Sequence, residues 1–450
     1  MSQPELFPAR PKSRPSLQEP SRQKPLLQKL SRGRAITSRR FSRVAVASLV
    51  LGATVATGGI APSVTTPRAA AATDITANIP YLHPPVQHDG APIPQAFPPE
   101  EYNWYLSDLS SHPFGIYADV VGSYPDLKAH HPEVQDTNLA TLTRINHDAA
   151  TNPTAISRAQ SDARADKEGV LELFSDAFGG RLGDEFRQAL NENRLPKTVM
   201  LFGGITARAG GLASSTIVEK IGFNETRPYD DHPDQINKYE VPGEDLYGHS
   251  KAFPSGHTNQ ATWTTTLLAA MLPELSDQLL ARGSEAGYNR VVLGVHYPLD
   301  VMGGRMTGLA AAADRWNDPR MRNNLMAAAQ EIRAELEWRC GDTLANCVAA
   351  DSKYDDNALG NYAYRMNYDF APVSDPNAAM IVPQAAPDLL VNAFPNLTYE
   401  QRAQVIEQTA GPAGMPLDDQ SPRGSWERIN LAAAMNAEVT VNDDGSVHVN

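Results

Sequence analysis

Between residues 99 and 340 the apolar side chains recur three and four positions apart, and this spacing constrains the fold more than any other feature of the chain. Segments at 99–110, 137–149, 154–179, 182–193 and 197–221 carry it, and it resumes at 257–272, 273–288, 298–315 and 318–339. Such spacing puts the apolar residues on one face of a helix, and that face must be buried against another helix. Period-two alternation is confined to 437–442, "AEVTVN", so a sheet cannot build the core. The expected fold is therefore all-α: a helical domain over 99–340, followed by an irregular C-terminal extension, 341–450, with short helices at 398–410 and 424–436. The extension either packs on the bundle or is tethered to it. One long polar segment, 229–253, interrupts the helical texture, and a loop of that length inside a compact domain is more often functional than idle.

The 450 residues carry a net charge of −13, but the charge is unevenly placed. Residues 1–73 hold twelve Lys/Arg and two Asp/Glu, which leaves 27 basic and 50 acidic residues, a charge of −23, in 74–450. That acidic body repels nucleic acid and anionic membrane, so neither is an expected partner. The basic start is followed by a mildly apolar stretch, Val44 to Ala61, and then by small residues ending in Ala69-Ala70-Ala71-Ala72. This is the order of an export signal over 1–72, cleaved near Ala71 or Ala72. Arg39-Arg40 after Ser38 suggests the twin-arginine route; an uncleaved anchor helix is the alternative. The expected location is secreted, periplasmic or in the cell envelope. Residues 73–98 are rich in Pro and read as an extended N-terminal arm. No later run is long and apolar enough to span a membrane, so the mature chain is not expected to be membrane-spanning. No sequence feature sets an oligomeric state.

Two cysteines occur, Cys340 and Cys347. In an exported chain a close pair suggests a disulfide closing a short loop, and two cysteines are too few for a structural zinc site. "DSKYDD" at 351–356 faintly resembles a calcium loop but lacks its Gly and terminal Glu, and reads as a solvated loop. No other carboxylates or histidines lie at convincing ligand spacing, so no metal is expected.

Three short patterns occur in order: Lys220, six residues, then Arg227-Pro228; Pro254-Ser255-Gly256-His257; and Arg290, five residues, His296, three residues, Asp300. Taken singly, each is an ordinary helix end, turn or cap. Taken together, ten identities in this arrangement coincide by chance at about 10⁻⁷, even after ~10⁶ placements are allowed. Their chemistry is that of phosphoryl transfer, where the protein positions the group and stabilises spread negative charge. Lys220, Arg227 and Arg290 supply three cations, two of them planar forks suited to phosphate. Ser255, Gly256 and His257 open a helical run whose backbone N–H groups can face an anion. His296, four residues before Asp300, can be held by that carboxylate with its other nitrogen free to attack phosphorus. His257 can then protonate the leaving oxygen and later activate water. Both histidines start from a pKa of about 6.5, so a bell-shaped, mildly acidic optimum is expected. Tyr229, Asp230, Asp231, His232 and Tyr247 of the 229–253 loop are expected to border the site and shape selectivity.

The three patterns resemble those of the superfamily of type 2 phosphatidic acid phosphatases, bacterial class A acid phosphatases and vanadium haloperoxidases. The family pattern is Lys-x6-Arg-Pro, Pro-Ser-Gly-His and Ser-Arg-x5-His-x3-Asp, and this chain departs from it at Asn289, where the family has Ser. The departure puts the support of the neighbouring arginine in question. The stretch 248–305 is similar to the exported acid phosphatases in particular. The resemblance implies a helical fold of the acid phosphatase/vanadium haloperoxidase type and hydrolysis of small phosphomonoesters. It also implies a phosphohistidine intermediate and no cofactor, with vanadate able to occupy the phosphate site and inhibit. A vanadium-dependent haloperoxidase would use the same residues, with vanadate on His296. A phosphotransferase with an alcohol acceptor, and a non-catalytic envelope protein with a relic phosphate pocket, are the further alternatives. The bundle of membrane spans usual in lipid phosphatases is absent.

Overall fold

The computed structural model describes residues 84–98, 117–165, 169–203, 209 and 215–450. The chain divides into two units, Met1–Ala70 and Ala71–Asn450, and every described residue lies in the second. The expected export signal at 1–72 and the helix expected at 99–110 lie outside the described residues.

The fold is all-α. Three helices, Gly256–Met271, Ser276–Val292 and Pro298–Asn317, pack together at its centre. The first is buried on nearly every face from Thr258 onward, which fits its sequence, "TNQATWTTTLLAAM", with no charged residue. Pro298 starts the third at a position where its missing N–H is not needed. Asp318 caps the next helix, Pro319–Cys340, by accepting the N–H groups of Arg320 and Met321, both at 2.9 Å.

The first and third helices meet almost backbone to backbone. A Cβ on Gly304 would lie 2.5 Å from the Ser255 carbonyl oxygen and 2.8 Å from Thr258 Cβ, so only glycine allows this approach. The Ser255 N–H in turn donates to the Asp300 carbonyl at 2.9 Å. Gly304→Ala is therefore expected to destabilise the fold by about 1–3 kcal/mol, as for other overpacked cores. A fall in thermal midpoint of several degrees would show it, and an unchanged midpoint would contradict it.

Several helices expected as single segments are broken. The 154–179 stretch forms Pro153–Asp162, Val170–Phe174 and a 3₁₀ turn, Ser175–Phe178. The 197–221 stretch forms Pro196–Phe202 and Ile217–Phe223. The periodicity is real in both, but apolar spacing does not register where the axis turns. At 424–436 only Leu431–Met435 is helical, because Trp426 and Ile429 are buried from irregular backbone. The alternating 437–442 stretch does contribute a strand: Val439–Val441 pairs antiparallel with Val447–Val449.

The C-terminal extension packs on the bundle. Helices Ala358–Asn367 and Leu431–Met435 lie against Ser276–Val292, and a 3₁₀ turn, Ala386–Leu390, lies against Pro298–Asn317. Cys340 and Cys347 form a disulfide across the turn between helices Pro319–Cys340 and Leu344–Ala350. The "DSKYDD" segment is a loop, half of it exposed, that also docks on the bundle. Asp351 accepts the backbone N–H groups of Arg181 and Leu182, at 3.0 and 2.7 Å, and so caps helix Gly180–Asn191. The Asp355 backbone exchanges two hydrogen bonds with the Gln278 side chain, at 3.2 and 2.8 Å.

The described part of the arm, 84–98, has no regular structure and is strapped down by Arg194. That guanidinium pairs with Glu335 at 2.6 and 2.8 Å and donates to the carbonyls of Val86 and Pro92, both at 2.8 Å. The remaining donors of a buried charge are thus satisfied by arm backbone, which fixes the arm's course. No described helix is long and apolar enough to cross a membrane.

Candidate active site

The site forms where the N-termini of two central helices meet the end of the third. Ser255 is the N-cap of helix Gly256–Met271; its Oγ accepts the Thr258 N–H at 3.3 Å and the Thr258 hydroxyl at 2.8 Å. Both bonds use oxygen lone pairs, so the Ser255 proton remains to be donated. Gly256 stands at the first helical position, and a Cβ there would approach Thr216 Oγ1 to 3.1 Å and Lys220 Cε to 3.8 Å. The small residue lets Lys220 lie against the helix end. His257 follows, half-buried.

Lys220 reaches in from helix Ile217–Phe223, and its Nζ donates to the carbonyls of Lys251 and Ala252 at 2.5 and 2.8 Å. Arg227 precedes the short helix Pro228–Asp231 and donates through Nε to the Ser250 carbonyl at 2.7 Å and through NH2 to Ser250 Oγ at 2.8 Å. Carbonyls of the 250–252 backbone therefore aim both cations. Arg290 lies buried in the last turn of helix Ser276–Val292.

His296 is held at both ring nitrogens. Nδ1 lies 3.1 Å from Asp300 Oδ2, which also accepts the Tyr297 N–H at 2.9 Å. Nε2 lies 2.7 Å from Arg227 NH1, which also donates to the Val295 carbonyl at 2.8 Å. A guanidinium can only donate, so Nε2 must carry the lone pair and Nδ1 the proton. His296 is thereby fixed as the neutral Nδ1–H tautomer, with Nε2 on the side of the cations.

The electrostatics follow from three cations gathered in a buried place. Burial, with Arg227 and Arg290 nearby, pushes Lys220 down to about 7. Burial pushes Asp300 up to about 7, opposed by the Tyr297 N–H and by Lys220 and Arg227. Arg290 and then burial hold His257 well below its ordinary value. Burial and then Arg227 do the same to His296. From their common start near 6.5, both histidines are thus displaced toward the neutral form in the protein alone. The cause is burial together with positive charge, which the sequence motifs list but cannot sum. An anion held among the same cations reverses it.

The structure brings together Lys220, Arg227, Ser255, Gly256, His257, Arg290, His296 and Asp300. Cys340 and Cys347 lie apart, in their disulfide. Of the 229–253 loop, Tyr229 and Tyr247 are buried with their rings edge to face at 5.3 Å, and the Tyr229 hydroxyl donates to the Gly248 carbonyl at 3.0 Å. They brace the backbone that aims Arg227 and Lys220. Asp230 and Asp231 are exposed, and half-buried His232 faces the Tyr297 ring edge at 6.4 Å.

Sequence reasoning missed the carbonyls of Ser250, Lys251, Ala252 and Val295, because any residue type supplies a carbonyl. It gave no partner for Asn289. That side chain, next to Arg290 on the same helix, donates to Asp162 Oδ2 at 2.7 Å, 127 residues away in sequence.

Residues 198–323 match the family model of the PAP2 superfamily. The non-specific acid phosphatase of Providencia stuartii is 28% identical over 175 residues, 39% of this chain and 66% of that protein. The non-specific acid phosphatase of Salmonella typhimurium is 26% identical over 175 residues, 39% of this chain and 65% of that protein. The acid phosphatase of Zymomonas mobilis is 31% identical over 113 residues, 25% of this chain and 42% of that protein. The chain thus spans just under two thirds of the length of the first two relatives. Residues 198–323, which hold the whole cradle from Lys220 to Asp300, thus form a stretch that matches the PAP2 superfamily and is similar to the acid phosphatases.

Proposed function

We propose that the chain is an exported, metal-independent acid phosphatase that hydrolyses small phosphomonoesters through a phosphohistidine on His296. The observation that carries this reading is the fixed tautomer of His296: Nδ1 tied to Asp300 at 3.1 Å and Nε2 presented to Arg227 at 2.7 Å. A neutral imidazole with its lone pair aimed among three cations is a nucleophile facing an anion site. Lys220, Arg227, Arg290, the Ser255 hydroxyl and the N–H groups that open helix Gly256–Met271 bind the phosphoryl oxygens. Nε2 forms its bond to phosphorus as the ester P–O bond breaks, and His257 delivers a proton to the departing alkoxide. His257 then removes a proton from water, whose oxygen attacks phosphorus. The N–P bond breaks, its electron pair returns to Nε2, and phosphate leaves. Asp300 stabilises the charge on the phosphorylated ring. The three cations supply the charge neutralisation for which many phosphotransferases use a metal, so none is required. The signal-like order of residues 1–72, basic, apolar and then Ala-rich, supports export.

The purified chain is expected to release nitrophenol from para-nitrophenyl phosphate under mildly acidic conditions, at a rate unchanged by EDTA. A loss of activity that added zinc or magnesium restores would overturn the metal-free reading. Halide oxidation by the vanadate-loaded protein, without phosphate release by the protein alone, would move it to the haloperoxidases.

A further inference from the structure

Asp162 ends helix Pro153–Asp162 and is 4% exposed. Its carboxylate accepts from Arg282 NH1 at 3.1 Å, Arg282 NH2 at 2.5 Å and Asn289 Nδ2 at 2.7 Å. Arg282 and Asn289 stand two turns apart on one face of helix Ser276–Val292, and Arg290 follows Asn289 directly. Ala163 follows Asp162, and its backbone hydrogen-bonds the His257 ring in the sense that favours a proton there. One buried carboxylate therefore joins the helix that carries Arg290 to the backbone that holds His257. Asn289 is also where the chain leaves the family pattern. Its amide reaches farther than a serine hydroxyl and donates to Asp162, so the departure has a partner 127 residues away.

We propose that Asp162 is a positioning residue of this site: through Asn289 and Arg282 it pins the Ala163 backbone against His257 and so sets that ring for proton transfer. The proposal rests on the reading of His257 as the general acid. The charged groups that face His257 are Arg290, Arg227 and Lys220, with His296 interacting across the site. All three charges oppose a proton on the ring, and the Ala163 backbone favours one. If that backbone shifts, His257 loses both its orientation and this support.

The test compares leaving groups. Nitrophenolate departs without a proton, whereas an alkoxide needs one, so loss of a positioned acid slows alkyl esters selectively. In the full chain, Asp162→Asn is expected to slow phosphoenzyme formation, followed in a single turnover, about tenfold or more with a simple alkyl phosphate and less than about threefold with para-nitrophenyl phosphate. Equal losses, or no loss with either ester, would overturn the proposal. Arg282 keeps Asp176 at 3.2 Å and Glu285 at 3.5 Å, so its buried charge retains anionic partners in this variant. Should Asp162→Asn fail to fold by circular dichroism, Asn289→Ser decides, since it removes only the amide bond and leaves the Arg282 pair. It should show the same selectivity at about threefold for the alkyl ester, and a uniform effect or none would refute the role of Asp162. A wild-type protein inactive on both esters would instead sink the phosphatase reading and the proposal with it.

Discussion

His296→Asn is expected to lower kcat for para-nitrophenyl phosphate by at least about 10³-fold while changing the affinity for sulfate by less than about tenfold. The asymmetry follows from the division of labour in the cradle. In the proposed mechanism Lys220, Arg227, Arg290, Ser255 and the helix N-terminus are the anion's partners, and only Nε2 of His296 forms a bond to phosphorus. An asparagine amide can still donate toward Asp300 and still meets Arg227, but it has no nitrogen lone pair to attack with. Steady-state kinetics with sulfate as competitive inhibitor measures both quantities in one experiment. Loss of sulfate affinity in step with kcat would assign His296 to binding, and retained kcat would remove it from the chemistry.

Sulfate affinity is expected to weaken steadily as pH rises from about 5 to 9, by up to tenfold per unit wherever one proton is taken up on binding. Sulfate is chosen because it stays a dianion over this range, so only the protein titrates. The sign follows from the shifts in the protein alone. Lys220 sits at about 7 and His257 well below its ordinary value, each held down by burial and neighbouring cations. A bound dianion raises both, so above each group's own value and below its anion-bound value binding takes up a proton. Affinity must fall with rising pH throughout that window. In the proposed mechanism the same linkage lets substrate raise His257 toward its protonated, acid form, which is why an acidic optimum is expected. Calorimetry in buffers of different ionisation enthalpy counts the protons directly. Affinity independent of pH, or tightening toward alkaline pH, would contradict the electrostatics.

Much of the site was legible because its residues have chemistry of their own. Lys220, Arg227, His257, Arg290, His296 and Asp300 declare themselves by type and spacing, and the structure gathers them. The His296–Asp300 spacing is read directly, since Pro298 starts a helix that places Asp300 in its first turn. The parts that stayed hidden act through backbone or across long separations. Nothing in "GHSKAF" marks the Ser250, Lys251 and Ala252 carbonyls as the groups that aim two cations. Nothing near Asp162 points to Asn289, and only the departure at 289 hinted that a partner exists. The same limit holds for the fold. The 3.6-residue period gives the central helices closely, but it runs through the break after Asp162 without a signal. Whether the extension packs on the bundle stayed open because its buried residues, such as Trp426 and Ile429, come from backbone without a period.

The most direct test of the proposed chemistry is to look for the phosphoryl group on His296 itself. The wild type by rapid quench, and His257→Ala by hand, would be mixed with ³²P-labelled para-nitrophenyl phosphate and digested. The variant forms the adduct without an acid, because nitrophenolate needs no proton, and hydrolyses it slowly for want of a base. An acid-labile, alkali-stable label on the peptide containing His296, with a matching burst of nitrophenol, is the expected result. Turnover by the wild type with no label on that peptide from either protein would contradict covalent catalysis by His296.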